Sequence, residues 1–187
     1  MKKQILRVGF DLDGVLLYNP LRIVRPIVAI AKKLFIKKKI LYFYSPQTNW
    51  EKQIWKFFHK SSIFIAPGLN EIKQLIKDKK IKAYIITARY SYLKNDLEEW
   101  LNKMKVNKYF SGIYYNQNDE QPHLFKERMI KKLNLDIFVE DNLDIVSYLS
   151  SKFKIYWIYN IFDKNHFYLD KFPNLKSTIK KIKENIL

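Results

Sequence analysis

The chain contains no cysteine in 187 residues. That single absence excludes disulfides, thiolate metal sites and cysteine nucleophiles together, and it is compatible with an intracellular, cytoplasmic setting. Also lacking is any apolar run near the ~18 residues a membrane span needs, so a soluble protein without a span is expected. Internal repeats and low-complexity tracts are missing too. The amino terminus, Met1-Lys2-Lys3-Gln4, leads at once into an apolar stretch interrupted by Arg7, so a cleaved signal peptide is not expected. Acidic residues are scarce relative to basic ones: 18 Asp and Glu face 35 Lys and Arg, a formal charge of +17. Such an excess suits phosphate-rich partners, including nucleic acid. Lysine dominates it, however, and is spread along the whole chain beside abundant Ile, Asn, Tyr and Phe. Background composition is therefore the favoured reading, with a nucleic-acid surface as the alternative.

What is present is material for a core. Hydrophobic residues make up 48% and aromatics 16%, enough for one ordinary domain over residues 1–187 and against disorder. Short apolar runs at Ile5–Phe10, Ile81–Ile86, Ile113–Tyr115, Ile137–Val139 and Ile155–Tyr159 predict buried strands. Amphipathic patterns at Leu69–Ile76, Leu93–Met104, Leu124–Leu133, Ile145–Leu149 and Ile179–Ile186 predict helices between and after them. This alternation predicts an α/β fold, a Rossmann-like parallel sheet with helices on both faces. Ligands of such sheets sit at the carboxyl ends of the strands. Residues 18–66 break the rhythm. There Leu21, Val24, Val28, Ala31 and Phe35 share one helical face, Pro26 opens or kinks that helix, and a second helix is expected over Trp50–His59. The segment reads as a small helical cap inserted after the first strand.

Polar residues fall where the strands end. Asp11 and Asp13, in Asp11-Leu12-Asp13-Gly14-Val15, follow the first strand, and two carboxylates at this spacing can converge on a phosphate and a hard cation. A calcium loop fits poorly, because the glycine comes too early and Arg22 stands where a bidentate Glu is required. An ordinary polar turn remains open. Thr87 ends the second strand in Ile85-Ile86-Thr87-Ala88-Arg89, Lys126 lies near a helix start, and Glu140-Asp141 end a later strand. Each has a plain alternative: Thr87 as a helix cap, Lys126 as a solvated lysine, Glu140-Asp141 as a soluble strand end. Their coincidence at successive strand ends favours a site.

These residues, in this order, resemble the motifs of the haloacid dehalogenase-like hydrolase superfamily, which is dominated by phosphatases. Phe10-Asp11-Leu12-Asp13-Gly14-Val15 looks like its first motif, Ile85-Ile86-Thr87 its second, Lys126 its third and Glu140-Asp141 its fourth. The resemblance covers roughly Ile5 to Tyr159, and residues 18–66 match the common cap position. Ile-Thr-Ala-Arg followed by Trp100-Leu101 is similar to the deoxyribonucleotidase-like 5′-nucleotidase branch. The resemblance implies a Mg²⁺-dependent phosphomonoesterase acting on a small phosphorylated substrate such as a nucleoside monophosphate. Asp11 is then the nucleophile, Asp13 the acid-base group, and Thr87, Lys126 and the Ala88 amide the phosphate contacts. Asp11, the Asp13 carbonyl and Asp141 are the implied metal ligands. Glu140 stands where many relatives carry Asp or Gly, and Asp144 follows at an unusual spacing, so Asp141 is the expected acidic ligand. Tyr18, Tyr44 and Trp50 are candidate substrate contacts, and Arg89 either joins them or pairs with a carboxylate. A nucleic-acid end-processing phosphatase and a non-enzymatic binding module on the same fold are the alternatives.

Overall fold

The computed structural model describes residues 5–18, 41–60 and 64–186. Strand β1 (Leu6–Phe10) lies in the middle of a six-stranded sheet with β4 (Ile81–Tyr90) on one side and β6 (Ile137–Glu140) on the other. Beyond β4 comes β5 (Gly112–Asn116), and beyond β6 come β7 (Ile155–Ile158) and the two-residue β8 (Lys171–Phe172). All five pairings are parallel. The order β5-β4-β1-β6-β7-β8 therefore makes β1 the point where the chain switches direction across the sheet. A crevice opens outside the strand ends at such a point.

Side-chain alternation splits the core into two layers. Val8, Phe10, Ala83, Ile85, Val139 and Tyr156 face one layer, covered by α2 (Leu69–Lys77), α3 (Lys94–Met104) and α6 (Leu175–Glu184). Tyr84, Ile86, Phe138, Ile155 and Trp157 face the other, covered by α4 (Pro122–Leu133) and α5 (Leu143–Leu149). Gly9 lies where a helix-side residue presses the sheet: a Cβ there would sit 2.5 Å from Leu135 Cδ1 and 2.8 Å from Phe138 Cδ2. A side chain there requires Leu135 and Phe138 to shift.

The described part of the insertion holds α1 (Asn49–Lys60). Thr48 and Glu51 cap its start reciprocally: the Glu51 amide donates to Thr48 Oγ1 at 3.3 Å, and the Thr48 amide donates to Glu51 Oε2 at 2.8 Å. The insertion's two ends meet in a short antiparallel pair, β2 (Leu17–Tyr18) with β3 (Phe64–Ile65). The helix expected over Leu21–Phe35 lies outside the described residues. No helix among the described residues is long and apolar enough to cross a membrane.

Several boundaries differ from the sequence reading. Strand β4 runs on through Thr87 and Arg89 to Tyr90, because a register shift between Thr87 and Tyr90 lets the chain bulge without leaving the sheet. The last helix starts at Leu175 rather than Ile179, since Asn174 Oδ1 accepts the Ser177 amide at 2.9 Å and caps it there. Helix α4 starts at Pro122, which serves as a first-turn residue with no N–H to lose.

Candidate active site

The sheet register sets the site. Phe10 pairs with Ile85 and with Val139, so Asp11 emerges between the ends of β4 and β6. Its amide still donates to Val139 O at 2.9 Å, which holds the nucleophile candidate against the sheet edge. The chain then turns through Gly14, at φ 89°. That left-handed conformation suits glycine, and the Gly14 amide donates to Leu17 O at 2.6 Å as the chain leaves the site.

Lys126 projects from the second turn of α4 into this crevice, fully buried. Its Nζ lies 3.0 Å from Asp11 Oδ2 and donates to Glu140 Oε2 at 2.6 Å. The solvated-lysine reading is thereby corrected: α4 packs on the sheet, and its inward face carries Lys126 to the acids. Glu140 Oε1 accepts the Asp141 and Asn142 amides, both at 3.0 Å, so this carboxylate is fixed on both oxygens. Trp157 Nε1 donates to the Asp141 carbonyl at 3.2 Å and pins the next residue. Asn142 caps α5 by accepting the Asp144 amide at 3.0 Å.

Asp11, Glu140 and Asp141 each offer a carboxylate oxygen, all within 4.8 Å of one another and all buried. Three carboxylates thus gather around the Lys126 ammonium. A hard ion ligated by oxygen suits this donor set. Glu140 thus belongs with Asp141 in the cluster, whereas Asp144, in the first turn of α5, lies outside it. Burial pushes the Asp11 carboxyl well above the usual range against the pull of Lys126, and Glu140, Asp141 and Asp13 push it the same way. Glu140 is raised by burial too, again opposed by Lys126. Lys126 loses some basicity to burial, but Asp11 and Glu140 outweigh that and raise it.

Asp13 sits in the opposite electrostatic setting. Arg89 Nε donates to Asp13 Oδ2 and Nη2 to Oδ1, both at 2.8 Å, while Nη1 donates to Asp96 Oδ2 at 2.9 Å. Burial alone would raise Asp13, but the Arg89 charge and its hydrogen bonds, with His59 adding to them, hold it well below the usual carboxylate range. His59 Nδ1 comes from α1 to 3.7 Å from Asp13 Oδ2. Thr87 is buried and its Oγ1 accepts the Arg89 amide at 3.3 Å, which is a strand-bulge contact rather than a helix cap.

Asp11, Asp13, Thr87, Ala88, Arg89, Lys126 and Asp141 all line one cleft. Phe43, Tyr44, Trp55, His59 and Tyr90 form its aromatic side, and a two-way bond between the Phe43 backbone and the Gln121 amide ties that segment to the start of α4. The structure brings Tyr44 to the cleft, with Trp55 5.9 Å away ring to ring. Trp50 is 73% exposed and does not line it. Tyr18, in β2, packs against the core instead. Arg89 takes the carboxylate-pairing alternative, its donors committed to Asp13 and Asp96. Trp55, His59 and Asp96 were not singled out from the sequence. Trp55 lies on a different face of α1 from Trp50, and the other two depend on tertiary placement.

This architecture has known counterparts. A HAD-superfamily hydrolase from Ehrlichia chaffeensis aligns over 100% of both chains with a TM-score of 0.57 and 15% identity. A family IA, variant 3 HAD hydrolase from Entamoeba histolytica aligns over 97% of this chain and 99% of its own, with a TM-score of 0.62 and 14% identity. The chain has the haloacid dehalogenase-like fold. CbbY from Rhodobacter sphaeroides, in complex with phosphate, shares that fold over 92% of this chain and 96% of its own, at a TM-score of 0.60 and 12% identity. No family model matches the chain, and no curated protein matches it in sequence. The haloacid dehalogenase-like frame thus comes from the topology, and the chemistry must be argued from the side chains.

Proposed function

We propose that the chain is a phosphomonoesterase that works through an aspartyl-phosphate on Asp11. The observation that carries this reading is the convergence of Asp11, Lys126, Glu140 and Asp141 at the switch point of a parallel sheet, with Asp13 two residues beyond. The Asp11 carboxylate attacks phosphorus, a new O–P bond forms, and the bond to the leaving oxygen breaks. Asp13, having taken up a proton against the pull of Arg89, delivers it to that oxygen. In the second step Asp13 takes a proton from the attacking water, whose oxygen joins phosphorus as the bond to Asp11 breaks and phosphate leaves. Lys126, the Thr87 hydroxyl and the Ala88 amide face the equatorial oxygens as charge moves onto them. Asp11, the Asp13 carbonyl and Asp141, with Glu140 in reach, would hold Mg²⁺, which when bound offsets the repulsion between carboxylate and phosphate.

For the substrate, the proposal is a small phosphate ester with a flat leaving group, a nucleoside monophosphate by preference. Tyr44, Trp55 and Phe43 on the cleft's aromatic side support it, since such rings stack on a base while the phosphate is held below. The segment carrying them, including α1, would serve as the cap. The test is a screen of monophosphates with Mg²⁺ and with chelator, run on the native chain and on Asp11→Asn. Metal-dependent hydrolysis that vanishes in Asp11→Asn is expected. Full turnover by the folded variant refutes the covalent mechanism, and a sugar phosphate ranking first refutes the nucleotide preference alone.

A further inference from the structure

Asp96 has no place in the chemistry above, yet it is buried in the first turn of α3 and aimed at the site through another charge. Arg89, its partner, has a wholly buried side chain. Buried ion pairs of this kind add little net stability, because desolvating the charges offsets most of their attraction. The arrangement makes more sense as geometry. A guanidinium is a rigid plane, so fixing one end fixes the direction of the rest. Asp96 takes Nη1, which leaves the Nε and Nη2 edge facing Asp13 as a two-pronged fork. The bulge in β4 between Thr87 and Tyr90 is what turns Arg89 toward both acids. A carboxylate has about four lone-pair sites. The fork takes a lone pair on each oxygen of Asp13, so it fixes the plane of that carboxylate. His59 approaches Oδ2 from the α1 side.

We infer that Asp96 is a positioning residue: through Arg89 it sets the orientation in which the Asp13 carboxyl meets the leaving oxygen. The inference rests on the phosphatase reading, and it assigns Asp96 and Arg89 a single joint task. Its signature is selective. An ester whose leaving group departs as an alkoxide needs the proton from Asp13, whereas a stabilised phenolate departs without it. Misplacing Asp13 therefore slows the first ester and spares the second.

The experiment compares kcat/KM for benzyl phosphate and 4-nitrophenyl phosphate, two esters of similar shape, in Asp96→Asn. For benzyl phosphate a fall of about 10- to 100-fold is expected, the usual scale for a misaligned catalytic group. For 4-nitrophenyl phosphate the fall should stay within about threefold, because acid catalysis contributes little there. The ratio of the two constants does not depend on how much of the variant is folded, so partial unfolding leaves the result readable. Arg89→Lys, which loses the fork, should show the same skew, and Arg89→Lys with Asp96→Asn should be no worse than Arg89→Lys alone. Equal falls on both esters, an unchanged benzyl phosphate rate, or multiplying effects in the double variant overturn the inference. Asp11→Asn separates it from the reading beneath: loss of both esters there upholds the phosphatase, whatever Asp96→Asn does. Retention of both defeats the Asp11 mechanism and, with it, the inference.

Discussion

Replacing Lys126 by methionine keeps the length and removes the charge at the centre of the acidic cluster. At 3.0 Å from Asp11 and 2.6 Å from Glu140, the ammonium attracts each by roughly 5–6 kcal/mol at an effective dielectric of about 20. Most of that is offset by the work of burying it. Removing one partner of such a group nevertheless leaves the others buried and unmatched, which costs about 3–5 kcal/mol. For a chain of this size the melting temperature should drop by roughly 6–20 °C. The sign of the pH effect follows from Asp11 and Glu140, whose carboxyls burial already raises against the pull of Lys126. Without that pull both rise further. The folded variant then holds protons that the unfolded chain has released, so its stability falls as pH rises through the folded values. Urea unfolding at pH 7.5 and pH 5, followed by tryptophan fluorescence, should show a wide gap from the native chain at pH 7.5 and a narrower one at pH 5. Saturating Mg²⁺ at pH 7.5 should restore part of the loss, about 2.7 kcal/mol at a hundred times its dissociation constant. A gap equally wide at both pH values, or no gap, would refute the account of Lys126 as the charge that holds the cluster together.

Trp55→Ala should shift the kcat/KM ranking of nucleoside monophosphates against sugar phosphates by roughly 1–3 kcal/mol, while Trp50→Ala on the exposed face of the same helix should leave it alone. Gly9→Ala forces Leu135 and Phe138 apart and should destabilise the fold by about 1–3 kcal/mol in urea unfolding with KM unchanged. Raising salt should lower kcat/KM for a dianionic ester and leave kcat flat, since a +17 chain draws its substrate in by long-range attraction. A salt-insensitive kcat/KM would mean that the positive charge takes no part in capture.

The parallel sheet was legible because five of its strands are long enough to show an apolar run, and the motif residues stand directly behind those runs. Strands β2, β3 and β8 were not, as two residues carry no period to detect. The cap of α1 was written in Thr48-x-x-Glu51 and passed unread. Trp50 was a candidate contact as an aromatic residue of the insertion. Five residues further on, a helix has turned by about 140° from a whole number of turns, so Trp55 and not Trp50 meets Tyr44. Arg89 was visible as an alternative between substrate and carboxylate. Its resolution needed Asp96, seven residues away on the next helix, and no local pattern ties those two together. Glu140 ranked below Asp141 as a ligand by resemblance, but position puts both in the cluster and gives Glu140 the added task of holding Lys126.

The charge distribution brings the surface and the site into one argument. The chain is strongly basic, but the ground around the cleft is not: Asp11, Asp13, Asp96, Glu140 and Asp141 are buried there with Lys126 and Arg89, and His59 stands beside Asp13. Both cations are fixed on acids, Lys126 between Asp11 and Glu140, Arg89 between Asp13 and Asp96. The two groups divide the site by electrostatic setting. On one side burial keeps Asp11 and Glu140 reluctant to ionise, which favours the addition of a cation. On the other, Arg89 draws Asp13 below the usual carboxylate range and fixes its orientation. The two-residue spacing alone could not tell the two aspartates apart. The lysine from α4 and the arginine from the β4 bulge do, because Lys126 pairs with Asp11 while Arg89 forks onto Asp13.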